Sequence, residues 1–350
     1  MGRDLLVLGV ETSCDETSAA VLRGTSQLLG HVIVSQDAHR VWGGVVPEIA
    51  ARAHLRMTDQ AVASALLEAG VRLDQADLVG VTAGPGLIGA LLVGVGWAKG
   101  AAWALGKPLV GVHHMEAHLF AASLEDARAE PPFVALLVSG GHTLLLWVPA
   151  WGEYRLLGAT RDDAAGEAYD KAAKILGLPY PGGPAIQRAA AGGDPARHPL
   201  PRPLVSRSHT PLDPEYYAMS FSGLKTALRT RVHELQRAGS WEAEIPHLAA
   251  AFQQAATDVL ATKTLRAVEQ TDCARVVLGG GVANSAALRG EIVRRLGAGG
   301  ELFAPSPRLS TDNAAMIART ALFRYPRGET SGLNLNARAD LPFPGLQPGG

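Results

Sequence analysis

The stretch Leu5-Leu6-Val7-Leu8-Gly9-Val10-Glu11-Thr12-Ser13-Cys14-Asp15-Glu16-Thr17-Ser18-Ala19-Ala20-Val21-Leu22 reads as an apolar strand, a polar turn and a returning strand. Both apolar runs have strand length, and the polar residues between them mark the turn. The same plan recurs later. Val134-Ala135-Leu136-Leu137-Val138 meets the turn Ser139-Gly140-Gly141-His142-Thr143, and Leu144-Leu145-Leu146-Trp147-Val148 returns. Further along, each half repeats a strand, a glycine loop and a helix. In the first half these are residues 78–82, Ala83-Gly84-Pro85-Gly86 and a helix through Leu91 and Leu92. In the second they are residues 275–278, Gly279-Gly280-Gly281 and a helix from about Asn284 to Leu296. One order of parts used twice predicts a duplicated α/β fold of two lobes facing a central cleft.

Composition agrees with a large globular chain. It has 350 residues, 47% hydrophobic and 19% charged, enough for two domains and too apolar for disorder. The two cysteines, Cys14 and Cys273, cannot form a disulfide framework and point to a reducing, cytoplasmic setting. The N-terminus has no long apolar core of an export signal. Residues 81–105 carry Lys99 as their only charge, but Pro85 and six glycines break the run. A small-residue helix packed on a sheet is expected there, with no membrane span. With a net charge of −1, any contact with nucleic acid must come from a local patch or a partner.

His114-Met115-Glu116-Ala117-His118 follows an apolar strand at 108–112 and runs into helix. On that helix His114 and His118 share one face, one turn apart, the spacing at which two imidazoles can hold a divalent metal. Alone, such a pair reads more readily as two ordinary histidines. Asp312, in Ser310-Thr311-Asp312-Asn313, stands at a helix start that Ser310 or Thr311 would cap. There it is either decoration of the helix dipole or the third ligand of a site suited to Fe(II) or Zn(II).

Three further motifs carry chemistry. Gly84-Pro85-Gly86-Leu87-Ile88-Gly89 matches a dinucleotide loop literally, but it follows the wrong strand and no acid ends the next one, so phosphate contact or backbone packing is expected. Ser139-Gly140-Gly141 and Gly279-Gly280-Gly281 let backbone N–H groups approach an anion, which favours a nucleotide, and Asn284 can cap a helix or bind that ligand. Asp162, Asp163, Glu167 and Asp170 crowd one helix start, with Asp170 able to face the cleft beside Lys171. Two other regions are irregular. Residues 188–209 are Pro-rich, with Arg188, Arg197, Arg202 and Arg207 against Asp194, and read as a basic insertion or a solvated loop. Residues 326–350 form an extended tail.

Together these motifs resemble one family. Residues 9–17, Gly43-Gly44-Val45-Val46-Pro47-Glu48, 84–87, 114–118, 137–143, Asp162-Asp163-Ala164-Ala165-Gly166-Glu167, Ser222-Gly223-Leu224-Lys225-Thr226 and Gly279–Asn284 are similar, in order, to the bacterial TsaD family. Its members are tRNA N6-adenosine threonylcarbamoyltransferases, once labelled O-sialoglycoprotein endopeptidases. The resemblance implies an actin-like/Hsp70-like (ASKHA) fold. Its lobes would be residues 1–126, with a helix at about 311–325 returning to them, and 127–310. It implies transfer of threonylcarbamoyl from threonylcarbamoyl-AMP to N6 of adenosine 37 in tRNAs that read codons starting with A. By matching position, His114, His118 and Asp312 would hold the metal. The backbone of Leu137, Val138, Ser139, Gly140 and Gly141, with Asp170, Gly183 and Asn284, would bind the adenine nucleotide, threonylcarbamoyl-AMP or ATP. The implied partners are tRNA, a TsaB-like paralogue and a TsaE-like ATPase, with no membrane.

Asp15 or Glu16 is a candidate to accept the proton leaving the amine. A metalloprotease is the competing enzyme, but in H-E-x-x-H the Glu directly follows the first His. Glu116 is two residues on, roughly 200° around the helix, and points away from the metal face. A nucleotide-gated scaffold without chemistry is the non-enzymatic alternative.

Overall fold

The computed structural model describes residues 4–42, 44–206 and 208–348. Gly43 of the Gly43–Glu48 motif, Arg207 of the basic insertion and the last two residues of the tail lie outside them. The chain divides into two compact units, Met1–Ala129 with Pro305–Pro344, and Glu130–Ala304 with Gly345–Gly350.

The first unit holds β1 (Leu6–Glu11), β2 (Glu16–Arg23), β3 (Gln27–Ser35), α1 (Pro47–Ala69), β4 (Leu78–Gly84), α2 (Ile88–Leu105), β5 (Leu109–His113) and α3 (His114–Phe120). The second holds β6 (Phe133–Val138), β7 (Thr143–Ala150), β8 (Glu153–Ala159), α4 (Ala165–Ile175), α5 (Gly182–Ala190), α6 (Ser222–Ala238), α7 (Trp241–Thr271), β9 (Arg275–Gly279), α8 (Ala286–Leu296) and β10 (Glu301–Phe303). The chain then returns to the first unit with α9 (Pro307–Ser310) and α10 (Ala314–Arg324), and ends in β11 (Leu346–Pro348).

The first sheet runs β3-β2-β1-β4-β5 and the second β10-β9-β6-β7-β8-β11. Read outward from the central strand, the two agree. β1 and β6 each have an antiparallel hairpin partner on one side and a parallel strand on the other. The duplication read from the sequence is therefore present in the strand order.

β1 is buried along its whole length, as a central strand covered on both faces must be. Leu8 and Val10 pack with Val62, Leu91 and Val95 of α1 and α2, while Val7 packs with Met316 and Ile317 of α10 on the other face. α10 comes so close that a Cβ on Gly9 would lie 2.2 Å from the carbonyl oxygen of Ala314. Only glycine admits that approach. Asp312, two residues before this helix, is thereby brought near the end of β1 where the polar turn begins.

By length and composition, α2 is the one helix among the described residues that could cross a membrane. Here Ala90, Leu91, Gly94, Val95, Ala98 and Ala102 are buried, and the helix lies on α1 and β4. The glycine loop before it serves packing: Cβ atoms on Gly84 and Gly86 would lie 2.0 Å from the Arg338 carbonyl and 2.6 Å from that of Ser13. The tail is pinned along the first unit. Ser331 N–H donates to Leu109 O (2.7 Å) and Arg338 N–H to Ala83 O (2.8 Å), and the last strand pairs with β8.

The basic insertion differs from its sequence reading. Arg197 pairs with Glu244 at 2.6 Å and Arg202 with Asp258 at 2.8 Å, so much of its charge is spent holding the segment to α7.

Candidate metal centre

α3 begins where β5 ends. His113, the last residue of the strand, caps the helix through Nδ1, which accepts from Glu116 N–H at 3.3 Å, and its Nε2 reaches Leu341 O at 3.0 Å. That junction sets the rotation of α3, and His114 and His118 fall on one buried face of it. Their rings stand edge to face, centroids 4.8 Å apart.

Asp312 arrives from the other end of the unit, and its local structure departs from the sequence reading. Ser310 ends the short helix α9, its hydroxyl donating to Pro305 O and Ser306 O, so neither it nor Thr311 caps α10. Asn313 does, its Oδ1 accepting from Met316 N–H at 3.1 Å. Asp312 therefore precedes the cap, where its carboxylate is free of any role in the helix. Its Oδ1 lies 3.4 Å from His114 Nε2 and 3.3 Å from His118 Nε2. The three donor atoms sit within 4.8 Å of one another.

Behind His114 is a residue quoted in the sequence motif but given no role there. Glu11, the last residue of β1, is fully buried. Its Oε2 accepts from Thr82 Oγ at 2.6 Å and lies 3.2 Å from His114 Nδ1, while Oε1 accepts from Ser13 N–H. A carboxylate at Nδ1 holds a proton on that nitrogen and fixes the ring with Nε2 on the Asp312 side, where its lone pair becomes available to a metal once the second proton leaves, the arrangement found behind metal-bound histidines.

The electrostatics are those of a charged knot under low solvation. Burial raises the Asp312 carboxyl, but the His114 charge and the close approach of the His114 and His118 rings outweigh it and hold the group far below the usual carboxylate range. Burial also raises Glu11, and His114 beside it brings the net shift down. For His114, Asp312 and Glu11 overcome burial and raise it well above its ordinary value. His118 is lowered, chiefly by burial. Glu16 is raised well above its ordinary value by burial and by the nearby Asp312 and Asp15.

The residues fit a divalent metal. Both ring nitrogens of His118 are buried with no hydrogen-bond partner, a cost that ligation of one nitrogen would relieve. Two imidazole nitrogens and one carboxylate form a borderline-hard donor set that leaves coordination positions open. About a fifth of the Asp312 side chain reaches solvent, so the cluster is not sealed.

Glu116 is turned away from this cluster. Its carboxylate grips the Arg324 guanidinium through both oxygens, at 2.6 and 2.8 Å. A protease base would have to face the metal, and this one is neutralised behind it.

In the second unit the residues matched to nucleotide binding are all present but already engaged to different degrees. Leu137 and Val138 end β6, and the Ser139–Gly141 turn has open space in front of both glycines, as does Gly183. Asp170 Oδ1 accepts from Gly182 N–H at 2.7 Å at the start of α5. Asn284 does not cap α8. Ser285 does, and Asn284 Oδ1 accepts from Arg289 at 3.3 Å.

A family model for tRNA N6-adenosine threonylcarbamoyltransferase, TsaD, matches residues 27–319. Proteins of that name are 55% identical in Gemmatimonas aurantiaca, over 97% of this chain and 98% of that one, and 50% identical in Geobacter metallireducens, over 97% of each. The chain belongs to the TsaD family. It is thus a transferase of the family that modifies N6 of adenosine in tRNA. Solved structures agree on the duplicated actin-like fold. HypF covers 95% of this chain and 48% of its own at a TM-score of 0.59 and 12% identity. The (R)-2-hydroxyglutaryl-CoA dehydratase component A of Acidaminococcus fermentans covers 92% and 99% at 0.52 and 14%.

Proposed function

We propose that this protein transfers the threonylcarbamoyl group of threonylcarbamoyl-AMP to N6 of adenosine 37 in tRNAs reading codons that start with A. The observation that carries the reading is the convergence of two buried imidazole Nε2 atoms on one Asp312 oxygen, with Glu11 fixing His114 from behind. In the reaction N6 bonds to the carbamoyl carbon, the bond from that carbon to the adenylate phosphate oxygen breaks, AMP leaves with the electron pair, and N6 loses a proton. Fe(II) or Zn(II) held by His114, His118 and Asp312 would supply Lewis-acid polarisation of a carbonyl. Glu16, with its raised carboxyl, is suited to accept the proton near neutral pH. The adenylate would be held by the backbone of residues 137–141 with Asp170, Gly183 and Asn284. A TsaB-like paralogue and a TsaE-like ATPase would act with it in the cytoplasm.

The test combines purified protein, those partners, threonylcarbamoyl-AMP and unmodified tRNA, and follows the modified nucleoside by mass spectrometry. Wild type should form product and His114→Ala should not. No product with wild type, or full product with the variant, would sink the reading.

A further inference from the structure

The motif Ser222-Gly223-Leu224-Lys225-Thr226 has no part in the metal centre. It opens α6, which packs on α4, and the two helices line a groove of about 580 Å³. Its walls carry Lys171, Lys174, Lys225 and Arg229, with the hydroxyls of Ser222 and Thr226, and no acidic residue. Lys171 and Lys174 are three residues apart on α4, and Lys225 and Arg229 four apart on α6. Each helix therefore presents positive charge about once per 5.4 Å turn.

The partners of these cations decide what the groove offers. Lys171 Nζ lies 2.7 Å from both Asp163 and Glu167, and Lys225 Nζ lies 2.5 Å from Asp163. Two carboxylates thus serve two ammonium groups. Lys174 and Arg229 are exposed and have no carboxylate in ion-pair reach among the described residues. The hydroxyls are committed, Ser222 Oγ donating to Asp162 and Thr226 Oγ to Ser222 O. Two amides at the start of α6 are also taken, since Asp162 accepts from Phe221 and Ser222 N–H at 2.8 and 3.1 Å. What remains is a trough of net positive charge with Ile175 as its single apolar lining residue.

We propose that this α4–α6 groove binds the sugar–phosphate backbone of the RNA substrate, an inference that rests on the proposed transfer to tRNA. Spaced cations without a stacking platform suit repeated phosphates and give a base nothing to lie on. The net charge of −1 means that RNA affinity must be local. The other basic segment has Arg197 and Arg202 tied to Glu244 and Asp258.

The test measures binding of unmodified tRNA to the full-length protein by fluorescence anisotropy between 50 and 200 mM salt. Lys174→Glu with Arg229→Glu should weaken binding roughly tenfold or more at the low-salt end. The plot of log affinity against log salt should lose about one unit of slope for each cation removed. Lys174→Gln with Arg229→Gln, which adds no repulsion, should show the same slope change with a smaller loss, and serves if the reversed pair does not fold. Unchanged affinity and slope in a folded variant would overturn the proposal, as would a variant that keeps its tRNA and loses only an acidic protein ligand. Binding is read without turnover, so the two proposals fail separately. A wild type that binds tRNA through this groove yet forms no product removes the reaction and leaves the groove. Normal product with tRNA affinity untouched by either variant does the reverse.

Discussion

The first hairpin of each unit occupies the same place in the same strand order, yet the two have opposite chemistry. In the first unit β1 ends in Glu11, a fully buried carboxylate held by Thr82, Ser13 and His114. In the second, β6 ends in Val138, buried among Leu136, Leu145 and Ala165, and the turn that follows is open glycine. One hairpin orients a charged ligand set, and the other clears space for backbone N–H groups. The duplicated scaffold supplies position, and the last residue of its central strand sets what that position can do.

Loss of a ligand should break the difference most completely. His118→Ala or Asp312→Ala should leave the purified protein with little bound metal, measured by elemental analysis, and reduce transfer by about 100-fold or more. Retention of one metal per chain in either variant would place the ion elsewhere. Glu11→Gln comes next. It keeps the shape but removes the charge behind His114, and metal affinity measured against a chelator should fall about 10- to 100-fold. The reciprocal change, Val138→Glu, puts a carboxylate where no donor awaits it and should destabilise the fold by roughly 3 kcal/mol or more in urea melts.

Gly9→Ala tests how the ligands are brought together. The added Cβ must displace the first turn of α10, so both the melting temperature and metal affinity should fall although no ligand has changed. A variant that loses stability but binds metal normally would show that Asp312 is positioned independently of this contact.

pH should sharpen the account of Glu11 further. His114 is raised well above 6.5 by Asp312 and Glu11 despite burial, so without metal it keeps its proton through neutrality. Its contribution to stability is fully present below the unfolded value and is lost as pH rises through the folded one. Metal must displace that proton, whereas His118, lowered by burial, has none to lose. Affinity should therefore rise with pH across and above neutrality, and calorimetry in two buffers should show about one proton released per metal bound. In Glu11→Gln that number should fall.

The parts of this site that were legible in the sequence are local. Strand–turn–strand repeats and an i,i+4 histidine pair lie within a few residues, and both are present as read. The helix caps were misplaced because α9 uses Ser310 for itself and leaves Asn313 to begin α10. Likewise Ser285, one residue after Asn284, is the cap of α8. Glu11 was missed as a support for His114 because it lies 103 residues away and only the sheet joins them. The insertion read as basic for the same reason, since the acids that pair with Arg197 and Arg202 are 47 and 56 residues distant on α7.

The smallest expected effect separates the two basic regions. Arg202 donates to Asp258 through Nε and Nη2, at 2.9 and 2.8 Å, and also to Leu200 O and Gln254. The pair is partly exposed, so Arg202→Ala should cost only about 1 kcal/mol of stability. Because the guanidinium is spent inside the unit, tRNA affinity and its salt slope should stay at wild-type values, in contrast to the α4–α6 variants. A fall in affinity without a change in melting temperature would move the RNA contact from the groove to the insertion. A fall in melting temperature alone would identify Arg202 as a strut, whose charge is visible in the composition and already used in the fold.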